Sequence, residues 1–489
     1  MAMRAFLSRW RTELLVFALV LVATAPTVQL LMAHQASRLA LTAAMWDDGT
    51  VQIDEYGPGL LLGLGPRDSG GILSVDYAER DGHLYSDKAP GQPLLAAPFY
   101  GLARLAGAEP GVEERYFDNY TLWWTSLWSA AIPAAVLAVM MRRFALKVTG
   151  DPRAATVAAV GMSLSTLLLP FATVLFSHVL AAALGYAAYL AARDPDAPTL
   201  RLAAAGLLGG MAVVSEYTTG IIVVVVGVLV LVRHKAGAVA YVAGGLPALA
   251  VLTVYNAITW GDPLEFSYSN SGSFQQFHEQ GLFGIRVPDP GLTVQVLMGE
   301  RGLLTLTPVV LVGVIGLVML ARQRRTREVA VVGLVVFAAF VAVQGGWFSV
   351  TAGAAPGPRY VVPALPFVAV GVARAWRWSR VAVIGSIVIG AVAMFASIAT
   401  NPLAQPTETF AAGHWLWRIA EGRFGQNLLT PWLGAPWGQL VQLAGVLIVL
   451  DLVWNATVKD APADGAPAVV EPMAVTAADT DTVVSPGDR

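Results

Sequence analysis

The chain contains no cysteine and few charged residues. Its 489 residues include no Cys, and Asp, Glu, Lys and Arg together make up only 13% of them. The missing cysteine excludes disulfides, thiolate catalysis and Cys-ligated metals. A soluble domain carries about twice this charged fraction. The formal net charge of −2 leaves no basic face for nucleic-acid phosphates, so nucleic acid is excluded as a partner.

Motifs of soluble catalysis are also missing. The sequence contains no HExxH, Walker loop, GxSxG or metal-ligand spacing, so hydrolases and nucleotide-driven enzymes lack support. Apolar runs are abundant instead, and hydrophobic residues make up 56% of the chain. The composition therefore predicts an all-α integral membrane protein.

About twelve apolar runs are predicted to span a membrane. The first is expected to be an uncleaved helix, because Pro26 follows the only small-residue site that could be a signal-peptide cleavage site. The predicted spans lie at roughly 14–32, 120–141, 154–173, 178–192, 202–215, 218–232, 238–259, 303–320, 329–344, 361–375, 381–400 and 440–454.

Basic residues cluster in alternate loops, which predicts the orientation of the spans. The positive-inside rule then places both termini in the cytoplasm. Three long outer loops are expected, at about 33–119, 260–302 and 401–439. Residues 1–456 are predicted to form the membrane domain. The tail, 457–489, is rich in Ala, Pro, Asp and Thr and is expected to be disordered.

The first outer loop is acidic and carries most of the candidate chemistry. The spacing of residues 37–46 predicts a short helix lying in the membrane interface, and the Gly-rich run 57–71 is expected to be mobile. Further on, DYAERDGHLYSDKAPGQ leads into an apolar helix with Pro90 near its start. A helix beginning after Lys88 would aim free N–H groups at an anion. A phosphate site is one interpretation, and a solvated loop with an Asp87–Lys88 pair is the other.

Arginines on the predicted outer face need anionic partners. Arg38, Arg301 and Arg359 lie where the positive-inside bias does not place them. Lipid phosphate and carboxylates of the acidic loop are the two candidate partners. His178 and Glu216 lie at span boundaries, where a polar side chain either pairs structurally or contacts substrate.

Several segments resemble the GT-C glycosyltransferase superfamily. SRLALTAAMWDDGTVQIDEY, YSDKAPGQPLLAAPFY, FSHVLAAALGYAAY, ERGLLTLTPVV and GAAPGPRYVVPALPF are similar to segments of bacterial protein O-mannosyltransferases and lipid A aminoarabinose transferases. The resemblance runs from Ser37 to about Phe367, and YSDKAPG and GPRY are its most specific parts.

The resemblance implies transfer of a sugar from a polyprenyl-phosphate donor to an acceptor hydroxyl on a glycan, lipid or protein. Several family members carry an Asp-Glu pair after the first span, but this chain has Ala33-His34-Gln35-Ala36 there. Asp54 is therefore the first candidate for the general base and Asp76 the second. Lys88, Arg301, Arg359 and Arg38 are expected to hold the donor phosphate. The candidates for contact with the sugar or acceptor are Asp87, Tyr85, His83, His178, Glu216 and Tyr360.

The same resemblance implies a multi-pass protein of a bacterial plasma membrane, with membrane lipids around it and its active site on the outer face. A divalent metal is compatible with the superfamily, but no residue pattern here demands one, and no other cofactor is implied. Two alternatives stay open. A flippase or transporter of lipid-linked sugars would use similar charges, and a catalytically inactive assembly partner would explain the missing Asp-Glu pair.

Overall fold

The structure is a computed structural model that describes residues 10–56, 76–107, 120–272, 274–405 and 408–460. The run 57–71, predicted to be mobile, lies outside these ranges, as does the tail from residue 461 onward. The described part is mainly helical, with two small antiparallel strand pairs. It is therefore an all-α fold, as the composition predicts.

The α-helices are numbered in chain order. Short π-helical turns at Ala44–Asp48 and Leu127–Ala131 continue α2 and precede α5. The helices are α1 Arg11–Thr24, α2 Ala33–Ala43, α3 Gly91–Leu105, α4 Tyr120–Ser126, α5 Ile132–Thr149, α6 Pro152–Leu164, α7 Leu168–Phe171, α8 His178–Ala192, α9 Thr199–Ser215, α10 Gly220–His234, α11 Gly237–Trp260, α12 Gln275–His278, α13 Pro290–Met298, α14 Leu303–Leu306, α15 Val309–Ala321, α16 Arg327–Gly345, α17 Leu365–Trp376, α18 Arg380–Thr400, α19 Ala411–Ala420, α20 Thr430–Leu433 and α21 Trp437–Asp460.

Helices long and apolar enough to cross a membrane occur along most of the chain. Six qualify by length and composition in the described ranges, or seven if the pair 290–306 and 309–321, bent by 96°, counts as one span. The protein is thus a multi-pass membrane protein. The other predicted spans are also helical but are shorter or broken. Pro170 and Pro308 lie at two of these breaks, where a ring in place of the N–H interrupts the helical ladder.

The first predicted span is shorter than expected. Helix α1 ends at Thr24 rather than near residue 32, because Pro26 cannot donate the next helical hydrogen bond. The chain then forms strand β1, Thr27–Val28, which pairs with β4, Gln426–Asn427, from the last long loop. This pairing joins the first loop to the third.

The first and last long helices of the described ranges pack side by side. The Gln442 amide on α21 donates to the Ala23 carbonyl at the end of α1, at 2.8 Å. At the other end, the Thr12 hydroxyl donates to Asp460 at 2.7 Å. Arg142 lies between these helices and forms ion pairs with both Glu13 and Asp460. Helix α21 therefore continues past the predicted boundary at residue 456, and its last residue takes part in the packing.

Glycine allows two other helices to approach closely. A Cβ on Gly316 of α15 would collide with the carbonyl oxygen of Gly371 on α17. Close backbone contact of this kind is typical of membrane helices, whose association depends on packing rather than on exclusion of water. The pair α15–α17 is consequently fixed in register.

The first long loop folds into the protein. Helix α2 is present where an interfacial helix was predicted, but every residue from His34 to Ala43 is buried. The helix therefore packs inside the protein, where α3 and neighbouring helices cover it. A hairpin of β2 (Ala78–Arg80) and β3 (His83–Tyr85) precedes α3. This arrangement brings the charged residues of the loop against the ends of the long helices.

Candidate active site

A cavity of about 280 Å³ lies where the first loop meets the ends of α8 and α9 and the segment 347–360. Its lining brings together charged side chains that are far apart in sequence. The cations are Arg38, Lys88 and Arg359, and the carboxylates are Asp76, Asp87 and Glu216. His34, His178 and Tyr360 also line it. Of the residues predicted from the sequence, most of the charged ones therefore meet at one place.

Lys88 connects two carboxylates. Its Nζ donates to Asp76 Oδ1 at 2.6 Å and to Asp87 Oδ2 at 2.9 Å. Burial alone would lower the pKa of Lys88, but the two carboxylates outweigh it and raise the pKa, so Lys88 is charged. Burial raises the pKa of Asp87 above its usual value, against the opposing effect of Lys88. The Asp87 side chain is only 1% exposed, whereas Asp76 is 14% exposed on the cavity wall.

Local contacts explain the position of Lys88 and Asp87 in the chain fold. Pro90 and Pro93 fit the first turn of α3, so the chain enters this helix directly after Ala89. The Ser86 hydroxyl lies 2.8 Å from the Ser37 hydroxyl on α2. These contacts fix Lys88 and Asp87 between α2 and α3.

Arg38 is held from α2 by a relay of polar contacts. Its Nη2 donates to the Ser177 hydroxyl at 3.0 Å, and that hydroxyl donates to Glu216 Oε2 at 2.9 Å. Its Nε donates to His34 Nε2 at 3.2 Å. Burial and then the positive charge of Lys88 lower the pKa of His34. The His34 imidazole is therefore neutral and accepts this hydrogen bond.

His178 lies beside the same relay at the start of α8. Its Nε2 is 3.8 Å from Glu216 Oε2, too far for a hydrogen bond. The ring stacks on Phe171 with centroids 5.2 Å apart and on Tyr360 at 6.0 Å. The contacts of His178 and Glu216 are thus mainly to protein groups around Arg38.

Arg359 differs from the other two cations. Among the described residues, no carboxylate oxygen lies within 4.0 Å of its guanidinium nitrogens, although it is in contact with Tyr360. Its Cζ lies 5.5 Å from the centre of the Tyr360 ring, and its Nε has no hydrogen-bond partner in those ranges. The guanidinium is therefore available to an anion in the cavity.

One wall of the cavity is aromatic, and of its rings only Tyr360 was predicted from the sequence. Tyr268 and His278 have ring centroids 4.5 Å apart, and Trp347 and Tyr360 are 5.0 Å apart. Phe348 also lines the cavity. Burial, followed by the charge of Lys88, lowers the pKa of His278 to about 4, so this ring is neutral. Aromatic faces of this kind can pack against the C–H faces of a sugar or against a prenyl chain.

Four predicted site residues lie outside the cavity lining. Asp54 accepts hydrogen bonds from the Leu84 N–H at 3.0 Å and is paired with His83 Nδ1 at 3.0 Å. Tyr85 is buried against Trp260, with ring centroids 5.3 Å apart. Arg301 donates to backbone carbonyls, including those of Ala404 at 3.1 Å, Gln405 at 2.6 Å and Ala355. These contacts connect loops to each other, so the four residues have structural partners.

The described residues contain no group of three or more His, Asp or Glu side chains placed to hold a metal ion. The first long loop supplies Asp76 and Asp87 at the cavity, and both are already in contact with Lys88.

No protein-family profile and no curated protein matches the sequence. Solved structures do align with the chain. ArnT from Cupriavidus metallidurans bound to undecaprenyl phosphate aligns at 15% identity and a TM-score of 0.47, over 91% of this chain and 77% of that one. AglB from Archaeoglobus fulgidus, in complex with an inhibitory peptide and a dolichol-phosphate, aligns at 11% and 0.44, over 91% and 56%.

Arabinosyltransferase EmbB from Mycobacterium smegmatis aligns at 15% identity and a TM-score of 0.43, over 93% of this chain and 42% of that one. All three neighbours are GT-C glycosyltransferases, the superfamily that the sequence motifs resemble. At these identities and TM-scores, the activity has to be inferred from the residues of the cavity.

Proposed function

We propose that the chain is a glycosyltransferase that moves a sugar from a polyprenyl-phosphate donor to an acceptor hydroxyl on a glycan, lipid or protein. The observation that carries this proposal is the cavity where Arg38, Lys88 and Arg359 converge, with Arg359 free of carboxylate contacts among the described residues. The cavity lies at the membrane face that the loop charges predict to be the outer one.

The three cations suit a departing phosphate. Lys88 already forms ion pairs with Asp76 and Asp87, and Arg38 is linked through Ser177 to Glu216. Arg359 thus supplies the first contact with the phosphate. The other two cations add positive charge around the same space, and fixed cations stabilise the charge that develops on a leaving group.

We propose Asp76 as the general base in place of Asp54. Asp76 lines the cavity, and the 2.6 Å hydrogen bond from Lys88 fixes its orientation. Asp54 is committed to His83 and to the Leu84 N–H outside the cavity. In the reaction, the acceptor hydroxyl gives its proton to Asp76 as its oxygen bonds to the anomeric carbon. The bond from that carbon to the phosphate oxygen breaks, and the phosphate leaves with the electron pair.

The remaining side chains have positioning roles in this proposal. Ser177 and Glu216 hold Arg38, and the neutral His34 accepts from it. The aromatic wall of Tyr268, Trp347 and Tyr360 lies against the remaining space and would contact the sugar. Which sugar and which acceptor are used depends on this wall and on loops around it.

The test is transfer from labelled polyprenyl-phosphate sugars by protein in lipid nanodiscs, with crude envelope lipid and glycan as acceptors. Asp76→Asn is compared with Asp54→Asn, the same change in the same loop outside the cavity. We expect Asp76→Asn to lower kcat by about 100-fold or more while donor binding persists. Asp54→Asn should stay close to wild type, and Arg359→Gln should weaken donor binding. Each reaction is run with and without chelator.

Other outcomes would assign the protein differently. Loss of transfer in Asp54→Asn alone would return the base to that residue. Donor binding without transfer by wild type, from any donor sugar, would favour a flippase or an inactive assembly partner. Those two separate in a second assay, because a flippase moves labelled lipid-linked sugar between the leaflets of a vesicle and an assembly partner does not.

A further inference from the structure

A second cavity, of about 600 Å³, lies at the opposite end of α8. Helix α8 starts at His178, beside the candidate active site, and ends at Ala192, directly before Arg193 in the second cavity. Its 15 residues separate the two cavities by roughly 22 Å. If the active site is at the outer face, this cavity is therefore at the inner face.

The second cavity is basic on one side and apolar on another. Arg143 and Lys147 lie one helical turn apart on α5, and Arg193 lies across from them at the end of α8. Met140 and Phe144 supply apolar lining. The cavity thus combines clustered positive charge with apolar surface at the ends of membrane helices, as the headgroup of an anionic lipid requires.

The acidic residues of this cavity already form ion pairs with two other arginines. Glu13 pairs with Arg142, and Asp194 pairs with Arg201 at 3.1 Å. Among the described residues, no carboxylate oxygen lies within 4.0 Å of the side-chain nitrogens of Arg143, Lys147 or Arg193. Three cations therefore face the cavity without a carboxylate partner in the described ranges.

Two of these cations are held in place by aromatic rings. The Cζ of Arg143 lies 4.3 Å from the centre of the Trp10 ring, and the Cζ of Arg193 lies 4.7 Å from that of Phe144. Arg193 is only 7% exposed, and its Nε has no hydrogen-bond partner in the described ranges. The Arg193 guanidinium also interacts with the buried Tyr189 side chain, so its Nε is the donor left for an additional acceptor. The positive-inside rule alone would also place basic residues here, but it requires neither their burial nor a fixed orientation of their side chains.

We propose that this second cavity binds the phosphate group of an anionic membrane lipid. Arg143, Lys147 and Arg193 contact the phosphate, and Phe144 and Met140 pack against the glycerol and upper acyl chain. The site is separate from the proposed transfer reaction, and its test does not depend on activity. A soluble phosphate ion would use the same cations, so the experiment has to separate these two sources.

The experiment measures lipid binding by native mass spectrometry of the delipidated full chain in detergent. Phosphatidylglycerol is the anionic probe and phosphatidylcholine is its zwitterionic counterpart. The test variant is Arg143→Gln with Lys147→Gln, both at exposed positions. The matched control is Arg324→Gln with Arg325→Gln, two exposed arginines of the loop between α15 and α16, outside the cavity. Equal thermal unfolding of both variants establishes that they are folded.

We expect the test variant to bind phosphatidylglycerol on the order of thirtyfold more weakly than wild type, since each basic residue near the membrane surface contributes about fivefold. The control should stay within about twofold. Equal weakening in both variants, or equal binding of phosphatidylcholine and phosphatidylglycerol by wild type, would overturn the proposal. If millimolar inorganic phosphate displaces the lipid from wild type but not from the test variant, the phosphate site stands and its ligand is the soluble ion.

Discussion

Replacing Lys88 by Met should strongly destabilise the protein. Met keeps most of the volume but removes the ammonium group that contacts Asp76 at 2.6 Å and Asp87 at 2.9 Å. Asp87 is only 1% exposed, so its carboxylate is poorly hydrated once the cation is lost. Removing one partner of a buried ion pair costs about 3–5 kcal/mol, and we expect a loss of unfolding free energy in this range.

The pH dependence of this variant follows from the remaining carboxylates. Burial already raises the pKa of Asp87, and loss of Lys88 removes the main effect that lowers it. The folded variant then binds a proton more tightly than the unfolded chain does. Stability from this group is present at low pH and is lost as the pH rises through the folded pKa. The destabilisation of Lys88→Met should therefore be larger at pH 8 than at pH 5.

The assay is unfolding in mixed micelles with an increasing fraction of SDS. Lys459→Met, at an exposed lysine near the end of α21, is the control and should change the unfolding free energy by less than about 0.5 kcal/mol. Adding Asp87→Asn to Lys88→Met should restore part of the loss, because the uncompensated charge is gone. A loss below about 1 kcal/mol, or no recovery in the double variant, would refute the buried ion-pair reasoning.

Three further predictions concern residues around the site and in the bundle. Arg301→Leu should lower the unfolding free energy by about 3 kcal/mol, because backbone carbonyls lose a charged hydrogen-bond partner. It should leave the KM for the sugar donor unchanged, and a raised KM would place Arg301 at the substrate. Gly316→Ala should lower the unfolding free energy by about 1–3 kcal/mol, because the new Cβ overpacks against α17. Gly385→Ala, with nothing within 4 Å of its new Cβ, should be neutral or stabilising. Equal effects of the two changes on the unfolding free energy would contradict the close approach of α15 and α17. The pKa of His278 in the folded protein is about 4. Between about pH 6.5 and pH 4 the unfolded chain therefore binds a proton that the folded protein does not, so stability falls as the pH falls through this window. In unfolding curves His278→Gln should flatten this dependence of stability on pH, and an unchanged slope would contradict the assignment.

The helices were predictable because their cause is local. The run 178–192 was expected as a span and is a helix over the same residues, since its apolar composition and its lack of proline are visible in the sequence. The break after Thr24 was missed, although Pro26 is a local signal, because the apolar run continues past it. Hydropathy alone therefore predicted where the helices lie better than it predicted the residues at which they end.

The candidate site was only partly predictable, because partners are chosen by tertiary contacts. Lys88, Asp76 and Arg359 were all named from the sequence and they line one cavity. Asp54 was predicted as the general base ahead of Asp76, but the β3 strand places His83 beside Asp54, which does not line the cavity. Likewise, no sequence pattern shows that Arg301 is used by backbone carbonyls. Charge and position along the chain do not specify which anion a cation meets.

The pairing of α1 with α21 has a consequence for biosynthesis. Helix α1 is translated well before α21, but its polar contacts are to Gln442 and Asp460 on α21. At 5–20 residues per second, roughly 20–80 s pass between the synthesis of the two helices. During that interval Thr12 and the Ala23 carbonyl lack these partners within the bilayer. Until α21 has been inserted, the nascent chain thus exposes polar groups that an insertion chaperone or a membrane protease can recognise.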